Sequence, residues 1–408
     1  MPSVLAKKPA YHPSIIAIAF ADFIRGFTRY PLWILISIYL LTVRRLDYID
    51  IGIIFLLQSV FTVPFSIFGG KISDVSGRRG LALLMPILLL FSYLAFFFVV
   101  YRNMSIIAVT VIMITISILG NVQYNIGNSI LTDLSSESQR LNSFSLVRVT
   151  GNLGIGIGLI LSGLTAIINP AYFFLAPVFG SLIEIFIIYR YVPESLPSTH
   201  EQTGTPKPRF SFRRDRLLIL VSLVLAFSAL FSNMFESPLL PLYLTSRFSY
   251  PEIQITSLYA VNTLIVILFQ FRVNALSRKI GEVYTYALGL VIYSASYSVF
   301  GLTGIFYILL ANVALLTMGE NMTSQFSQVF ISRIAPPDRR GEYFGYNSAI
   351  FSFILPFSPF LGTLILQVLH PYPLIMWSII SAALIVMALI SLTLRKHIPS
   401  PDRNSQWT

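Results

Sequence analysis

Cysteine is absent from the 408-residue chain, so disulfides, thiolate nucleophiles and cysteine metal sites are all excluded. Charge is scarce: 11% of the residues are Asp, Glu, Lys or Arg, against about 25% in an ordinary soluble domain. Histidine is rarer still, and the four present (12, 200, 370 and 397) fall in loops or tails. No nucleophile with a base and no cluster of metal-ligating acids accompanies them, so no catalytic residue, metal or cofactor is expected. A membrane-embedded enzyme is therefore the weakest reading. No G-x-x-x-x-G-K-[ST] phosphate loop occurs, which argues against ATP-driven work by this chain alone.

Apolar sequence is abundant. Hydrophobic residues make up 55% of the chain and the mean hydropathy is +0.75. Runs of roughly 20 apolar residues recur throughout, each long enough for a ~30 Å hydrocarbon core. Strands of a membrane barrel would instead alternate over about 10 residues. The pattern predicts twelve membrane helices near 14–42, 51–70, 81–101, 105–131, 144–168, 171–192, 216–245, 252–273, 283–302, 305–331, 342–368 and 371–394. The first run follows Lys7 and Lys8 without a small-residue cleavage site and reads as a retained helix.

The net charge of +11 follows the topology. With the N-terminus inside, 22 of the 28 lysines and arginines fall on the cytoplasmic side, 4 outside and 2 within the first helix. This bias puts both termini in the cytoplasm of a multi-pass plasma-membrane protein. It also removes nucleic acid as the reason for the basic balance. The partners expected are lipid, a small-molecule substrate and protons, for a chain acting as a monomer.

Residues 193–215 form the longest polar run and carry four prolines. They read as a cytoplasmic linker between an N-terminal bundle, 1–192, and a C-terminal bundle with its tail, 216–408. An offset of 200 superimposes Asn121, Asn125 and Asn128 on Asn321, Gln325 and Gln328. The spacing i, i+4, i+7 puts each amide trio on one helical face. Such stripes suit interhelical hydrogen bonds or, when matched between halves, a polar pathway through the protein interior.

Between the second and third runs stands Gly70-Lys71-Ile72-Ser73-Asp74-Val75-Ser76-Gly77-Arg78-Arg79. This G-x-x-x-D-x-x-G-R-R frame resembles the signature of the major facilitator superfamily at the junction of its second and third helices. The resemblance extends over essentially the whole chain. It implies an all-α polytopic fold of twelve transmembrane helices in two pseudo-symmetric six-helix bundles, working as a secondary transporter by alternating access. It also implies a cytoplasmic gate of Gly70, Asp74, Gly77, Arg78 and Arg79, with Asp133 at the end of helix 4 completing the charge network. Aligning Gly77 with Gly281 sets Arg278 opposite Asp74 and Glu282 opposite Arg78, and the offset of 200 sets Arg333 opposite Asp133. All three signs are inverted, so a complementary second-half latch is expected.

Asp22, Arg25 and Arg29 share one face of the first helix, roughly 10 to 21 Å deep at 1.5 Å per residue. Charges at such depth cost about 2.5–3.5 kcal/mol each on insertion scales. They suit a mutually neutralising cluster, a proton-coupling site or a site for an organic anion. Glu236, which precedes Pro238 and Pro241, prolines expected to break its helix near the outer end, and Glu320 are further proton or substrate candidates. Glu184 is expected to be a structural pairing residue. In helix 5, Gly154, Gly158 and Ser162 form a small-residue stripe that permits close helix contact, in a run that ends on Gly163. It resembles the glycine signature of drug/proton antiporters, with Leu159 at the proline position; Pro359 supplies a proline at the matching place in helix 11. The subgroup resemblance implies proton-coupled efflux of small lipophilic compounds, with transport of an organic anion or metabolite as the alternative.

Overall fold

The computed structural model describes residues 12–136, 139–166, 174–195, 215–324, 326–336 and 339–396, without the side chains of 66–76, 140–141, 166, 270–271, 274–275, 278, 327–328 and 340–341. The described chain is helical, with no strand. Its α-helices are α1 (Pro13–Thr42), α2 (Tyr48–Ser76), α3 (Arg78–Tyr101), α4 (Ile106–Leu134), α5 (Arg140–Ala166) and α6 (Ala176–Tyr191). After the linker come α7 (Arg216–Ser232), α8 (Leu239–Phe248), α9 (Glu252–Ile280), α10 (Glu282–Leu302), α11 (Phe306–Ser324) and α12 (Phe326–Ile334). Last are α13 (Arg340–Ile354), α14 (Phe357–Leu369) and α15 (Pro373–Thr393). Eight spans among the described residues are long and apolar enough to cross a membrane. Phe353, Ile107 and Phe91 are exposed to 76%, 72% and 62%, which suits side chains that face lipid rather than water.

Two of the expected single helices are interrupted. The run 216–245 divides between α7 and α8 at residues 233–238, N-terminal to Pro238. The run 342–368 divides at Leu355 and Pro356, where the proline cannot donate a helical hydrogen bond. A 20-residue hydropathy window averages over breaks of this size; the prolines mark them, Pro238 at the end of the first and Pro356 in the second.

The chain separates into two compact units. One contains the chain up to Trp33 together with the stretch from Gln58 to the linker; the other contains Ile34–Leu57 together with everything after the linker. In the first unit, Ile18, Met85, Ile126, Ile130 and Ile188 form a buried apolar core from α1, α3, α4 and α6. Close crossing of α1 and α5 rests on glycine. A β-carbon at Gly154 or Gly158 would collide with the carbonyl oxygens of Phe23 or Phe27. The glycine stripe is thus a packing face for α1, and it fixes where the charged face of α1 lies.

In the second unit, Trp377 is fully buried and stacks on Tyr297, with ring centroids 5.6 Å apart and planes 20° from parallel. Tyr243 and Phe300 close around the same indole at 5.2 Å each. Helices α10 and α15 are joined reciprocally, since Ser294 and Ser381 each donate to the other's carbonyl at 2.9 Å. Gly289 and Gly319 let α10 and α11 cross closely: a β-carbon on either would lie within 2.9 or 2.8 Å of the other's carbonyl oxygen. Glu320 follows at that crossing. The second unit also includes the start of α2. There the Tyr48 N–H donates to Gln367 Oε1 at 3.1 Å and the Tyr48 ring stacks on His370.

Candidate functional site

The charged face of α1 is one part of a four-helix ion cluster. Arg25 Nη2 pairs with Asp22 Oδ1 at 2.9 Å, one turn away. Arg29 Nη2 pairs with Glu184 Oε2 of α6 at 2.6 Å, and Arg25 Nε lies 3.6 Å from Glu184 Oε1. Gln123 of α4 bridges the group, accepting from Arg29 Nη1 at 2.6 Å and donating to Glu184 Oε1 at 2.9 Å. Ser181 Oγ takes a further Arg29 bond at 3.2 Å, and the Arg29 guanidinium lies over the Tyr93 ring of α3. Two cations meet two anions, so the cluster is formally neutral.

Within this cluster the two acids differ. Glu184 is 1% exposed and contacts both arginines, whereas Asp22 is 23% exposed and contacts one. Glu184 is therefore the fixed counter-ion, since removing its charge would leave two guanidiniums in an apolar bundle. Gln123 is absent from the candidates expected from sequence, and Glu184 stands among them only as a pairing residue. Glu184 is a lone acid in an apolar helix and Gln123 sits between Asn121 and Asn125, off their face; only the packing of α4 and α6 on α1 gives either a partner. Glycine again makes room: a β-carbon at Gly151 would strike Asp22 Oδ2. A cavity of about 30 Å³ adjoins Arg25, Gln123 and Glu184 and continues past Ile130 and Ile188 to Val192.

In the second unit, Asn262 of α9 donates to Glu320 Oε2 at 2.7 Å and to Thr317 Oγ1 at 2.9 Å. The Thr317 hydroxyl gives its own hydrogen to the Val313 carbonyl at 2.7 Å, so toward Asn262 it can only accept. That fixes which end of the Asn262 amide faces Glu320. Glu236 lies in the interruption between α7 and α8, is exposed, and forms no ion pair among the described residues.

Of the amide stripes, Asn121, Asn125 and Asn128 are half-buried, with Asn125 donating to Asn121 at 3.2 Å. Asn321 is 1% exposed. Gln325 lies outside the described residues, as do the side chains of Gln328, Asp74 and Arg278; Gly70 lies within α2. Gly163 is buried in α5 and Pro359 is half-buried in the first turn of α14.

At the other charged loop, Gly77 interrupts the chain between α2 and α3 with φ 89° and ψ 140°. Arg78 pairs with Asp133 at the end of α4 and donates to the Ser129 carbonyl at 3.1 Å. Glu194, just after α6, caps α3: its two oxygens accept from the backbone N–H of Arg78 at 2.9 Å and of Arg79 at 3.1 Å. A carboxylate there neutralises free donors and the positive end of the helix dipole. Arg79 Nη2 bonds the Tyr189 carbonyl at 2.9 Å, and Ser195 Oγ bonds Asp133 at 3.0 Å. In the second unit Gly281 repeats the turn between α9 and α10, and Glu282 forms a two-pronged pair with Arg333 at 2.5 and 2.6 Å. Arg339 grips buried Asp215 at 3.0 and 3.1 Å and Glu342 at 2.7 Å twice. The bonds to Glu342 and then Asp215 hold the proton on Arg339 more firmly than on a free guanidinium.

A family profile described as Major Facilitator Superfamily matches residues 18–282 and 223–407. A Na(+), Li(+), K(+)/H(+) antiporter of Planococcus maritimus is 22% identical over 333 residues, covering 73% of this chain and 77% of the relative. An uncharacterised MFS-type transporter of Bacillus subtilis (strain 168) is 24% identical over 311 residues, covering 76% of each. The crystal structure of the nucleoside transporter NupG superposes with a TM-score of 0.79 at 12% identity, over 94% of this chain and 100% of that one. A bacterial homologue of the iron transporter ferroportin, in an inward-facing state, superposes with a TM-score of 0.73 at 16% identity, over 93% and 98%. With its polytopic helical fold and a profile match spanning nearly its whole length, this chain belongs to the Major Facilitator Superfamily and is a membrane transporter.

Proposed function

We propose that the protein is a proton-coupled antiporter that exports small lipophilic compounds, neutral or cationic, across the plasma membrane by alternating access. The observation that carries this reading is the neutrality of the Asp22–Arg25–Arg29–Glu184 cluster. Both arginines are already matched by carboxylates, so an anionic substrate would have to displace Glu184 from a 2.6 Å pair inside the bundle. That weakens the organic-anion alternative. Asp22, with one cationic partner, and Glu236, with none among the described residues, suit a proton or a cationic cargo. Asn262, its amide oriented by Thr317, donates to Glu320, a further candidate for the proton.

The two six-helix halves, 1–192 and 216–408, are the moving bodies in this reading, joined by the linker, with both termini cytoplasmic. Arg78–Asp133 in one half and Glu282–Arg333 in the other act as latches on the cytoplasmic side. A second reading, exchange of monovalent cations for protons, is supported by the likeness to the Planococcus antiporter.

Flux into proteoliposomes under an imposed pH gradient tests both readings. Lipophilic cations, neutral compounds, organic anions and Na⁺, Li⁺ and K⁺ would be compared, with Asp22→Asn, Glu236→Gln and Glu320→Gln alongside the wild type. Proton-driven movement of lipophilic compounds, lost in at least one acid variant, is expected. Movement of organic anions alone, or full coupling in all three variants, would overturn the proposal.

A further inference from the structure

The interruption between α7 and α8 leaves backbone groups that no helix satisfies, and each must find a partner in the apolar interior. The N–H groups of Glu236 and Ser237 both fall back on the Asn233 carbonyl at 3.1 Å. Ser237 Oγ donates to the Met234 carbonyl at 2.8 Å and accepts from the Leu239 N–H at 3.2 Å. Phe235 is satisfied from outside the segment altogether. Its N–H donates to the Tyr297 hydroxyl of α10 at 2.9 Å, and its carbonyl accepts from the Tyr259 hydroxyl of α9 at 2.7 Å. The Tyr297 hydroxyl spends its hydrogen on the Ser232 carbonyl, 2.7 Å away, and so closes the break from both ends.

Tyr297 is 0% and Tyr259 2% exposed. A hydroxyl so deeply buried is costly unless it is hydrogen-bonded. These two hydroxyls are paired to the break. Glu236 is the residue next to the clamped one, and the direction in which its side chain leaves follows from the backbone of Phe235, not from a helical repeat. Tyr259 on α9 and Tyr293 and Tyr297 on α10 lie within electrostatic reach of Glu236, and Tyr293 and Tyr297 also within reach of Glu320 on α11. Tyr297 stacks on Trp377, so the clamp sits beside a buried indole.

We infer that Tyr259 and Tyr297 are positioning residues for Glu236: two hydroxyls from neighbouring helices clamp both backbone groups of Phe235 and thereby orient the adjacent carboxylate for its coupling ion. The inference rests on the reading of Glu236 as a proton- or cation-binding group. It explains why a break in an apolar helix is held open rather than healed.

Trp377 provides a readout that needs no substrate. In a Trp33→Phe/Trp407→Phe background it is the sole indole, and its fluorescence in detergent micelles is followed between roughly pH 4 and 9, the range in which perturbed carboxylates titrate. One transition is expected, absent in Glu236→Gln and moved by about half a pH unit or more in Tyr297→Phe and in Tyr259→Phe. Tyr243→Phe removes a different hydroxyl beside the indole, one bonded to the Phe300 carbonyl at 2.9 Å, and should leave the midpoint unchanged. Either tyrosine variant suffices if the other fails to fold. A transition lost in Glu236→Gln but unmoved in the Tyr297 and Tyr259 variants overturns the clamp and leaves the role of Glu236 standing. A transition that persists in Glu236→Gln, or none in the parent protein, overturns both.

Discussion

Gly77 and Gly281 share one backbone conformation, φ 89° and ψ 140° in the first and φ 93° and ψ 152° in the second. Each ends one long helix and starts the next within a single residue. The residue after each glycine then forms an ion pair across to a later helix, with opposite signs: Arg78 to Asp133, and Glu282 to Arg333. The same turn thus carries a charge-inverted pair in each unit.

These glycine turns are sensitive to a β-carbon, because positive φ with extended ψ is essentially a glycine conformation, worth about 1–3 kcal/mol of strain to another residue. Gly77→Ala should cost more than Gly281→Ala. At Gly77 the new carbon would lie 3.1 Å from Glu194 Oε2, against 3.8 Å from Tyr284 Cδ2 at Gly281. Thermal unfolding in detergent ranks the two; equal tolerance of both would contradict the backbone assignment.

Glu282→Arg sets like charges against each other and should lower stability or conformational exchange by the worth of a charge-assisted pair, about 1.5–3 kcal/mol. The double variant Glu282→Arg/Arg333→Glu should recover most of it. If the double variant is no better than the sum of its parts, the pair has no energetic role.

Glu184→Gln should be among the most damaging single changes in the first unit, of the order of 3–5 kcal/mol, because it strands Arg25 and Arg29 beside one remaining acid. Asp22→Asn, at a more exposed carboxylate, should cost clearly less. Yield and melting temperature of the purified variants provide the comparison, and the reverse order would mean that Asp22 is the true counter-ion.

His370 gives the expected acid response. Partial burial, then the charge of Arg247, lowers its affinity for a proton below that of a free histidine. The unfolded chain therefore protonates first as pH falls, and the stability present above the ordinary histidine pKa of 6.5 is lost toward lower pH. The ring is partly exposed, so the loss should stay under about 1 kcal/mol. Melting curves at neutral and mildly acidic pH should differ less in His370→Gln than in the parent; an unchanged difference would assign the acid response elsewhere.

Much of the architecture is legible in sequence because hydropathy is local. Each apolar run is long enough to fix a helix without knowing its neighbours, and the G-x-x-x-D-x-x-G-R-R frame marks its own turn. The offset of 200 even pairs Asp133 with Arg333, since repeated halves keep their register. Pro238 and Pro241 mark the break at 233–238, whereas the one at Leu355–Pro356 escapes a hydropathy reading because both of its residues are apolar. Gln123, Asn262, Tyr259 and Tyr297 were equally silent, as each acquires its role only from a partner on another helix.

The sequence by itself determined an all-helical membrane transporter, its glycine turns and the residues that carry its few charges. Those features are written in length, hydropathy and backbone freedom, which are properties of a residue and its near neighbours. Tertiary structure decided which charges neutralise which: Glu184 took Arg29, Glu194 capped α3, and Asp215 took Arg339. A buried charge has no local rule for choosing its partner. Its partner is whichever group the packing of other helices brings within about 3 Å, and that is settled only when the bundle closes.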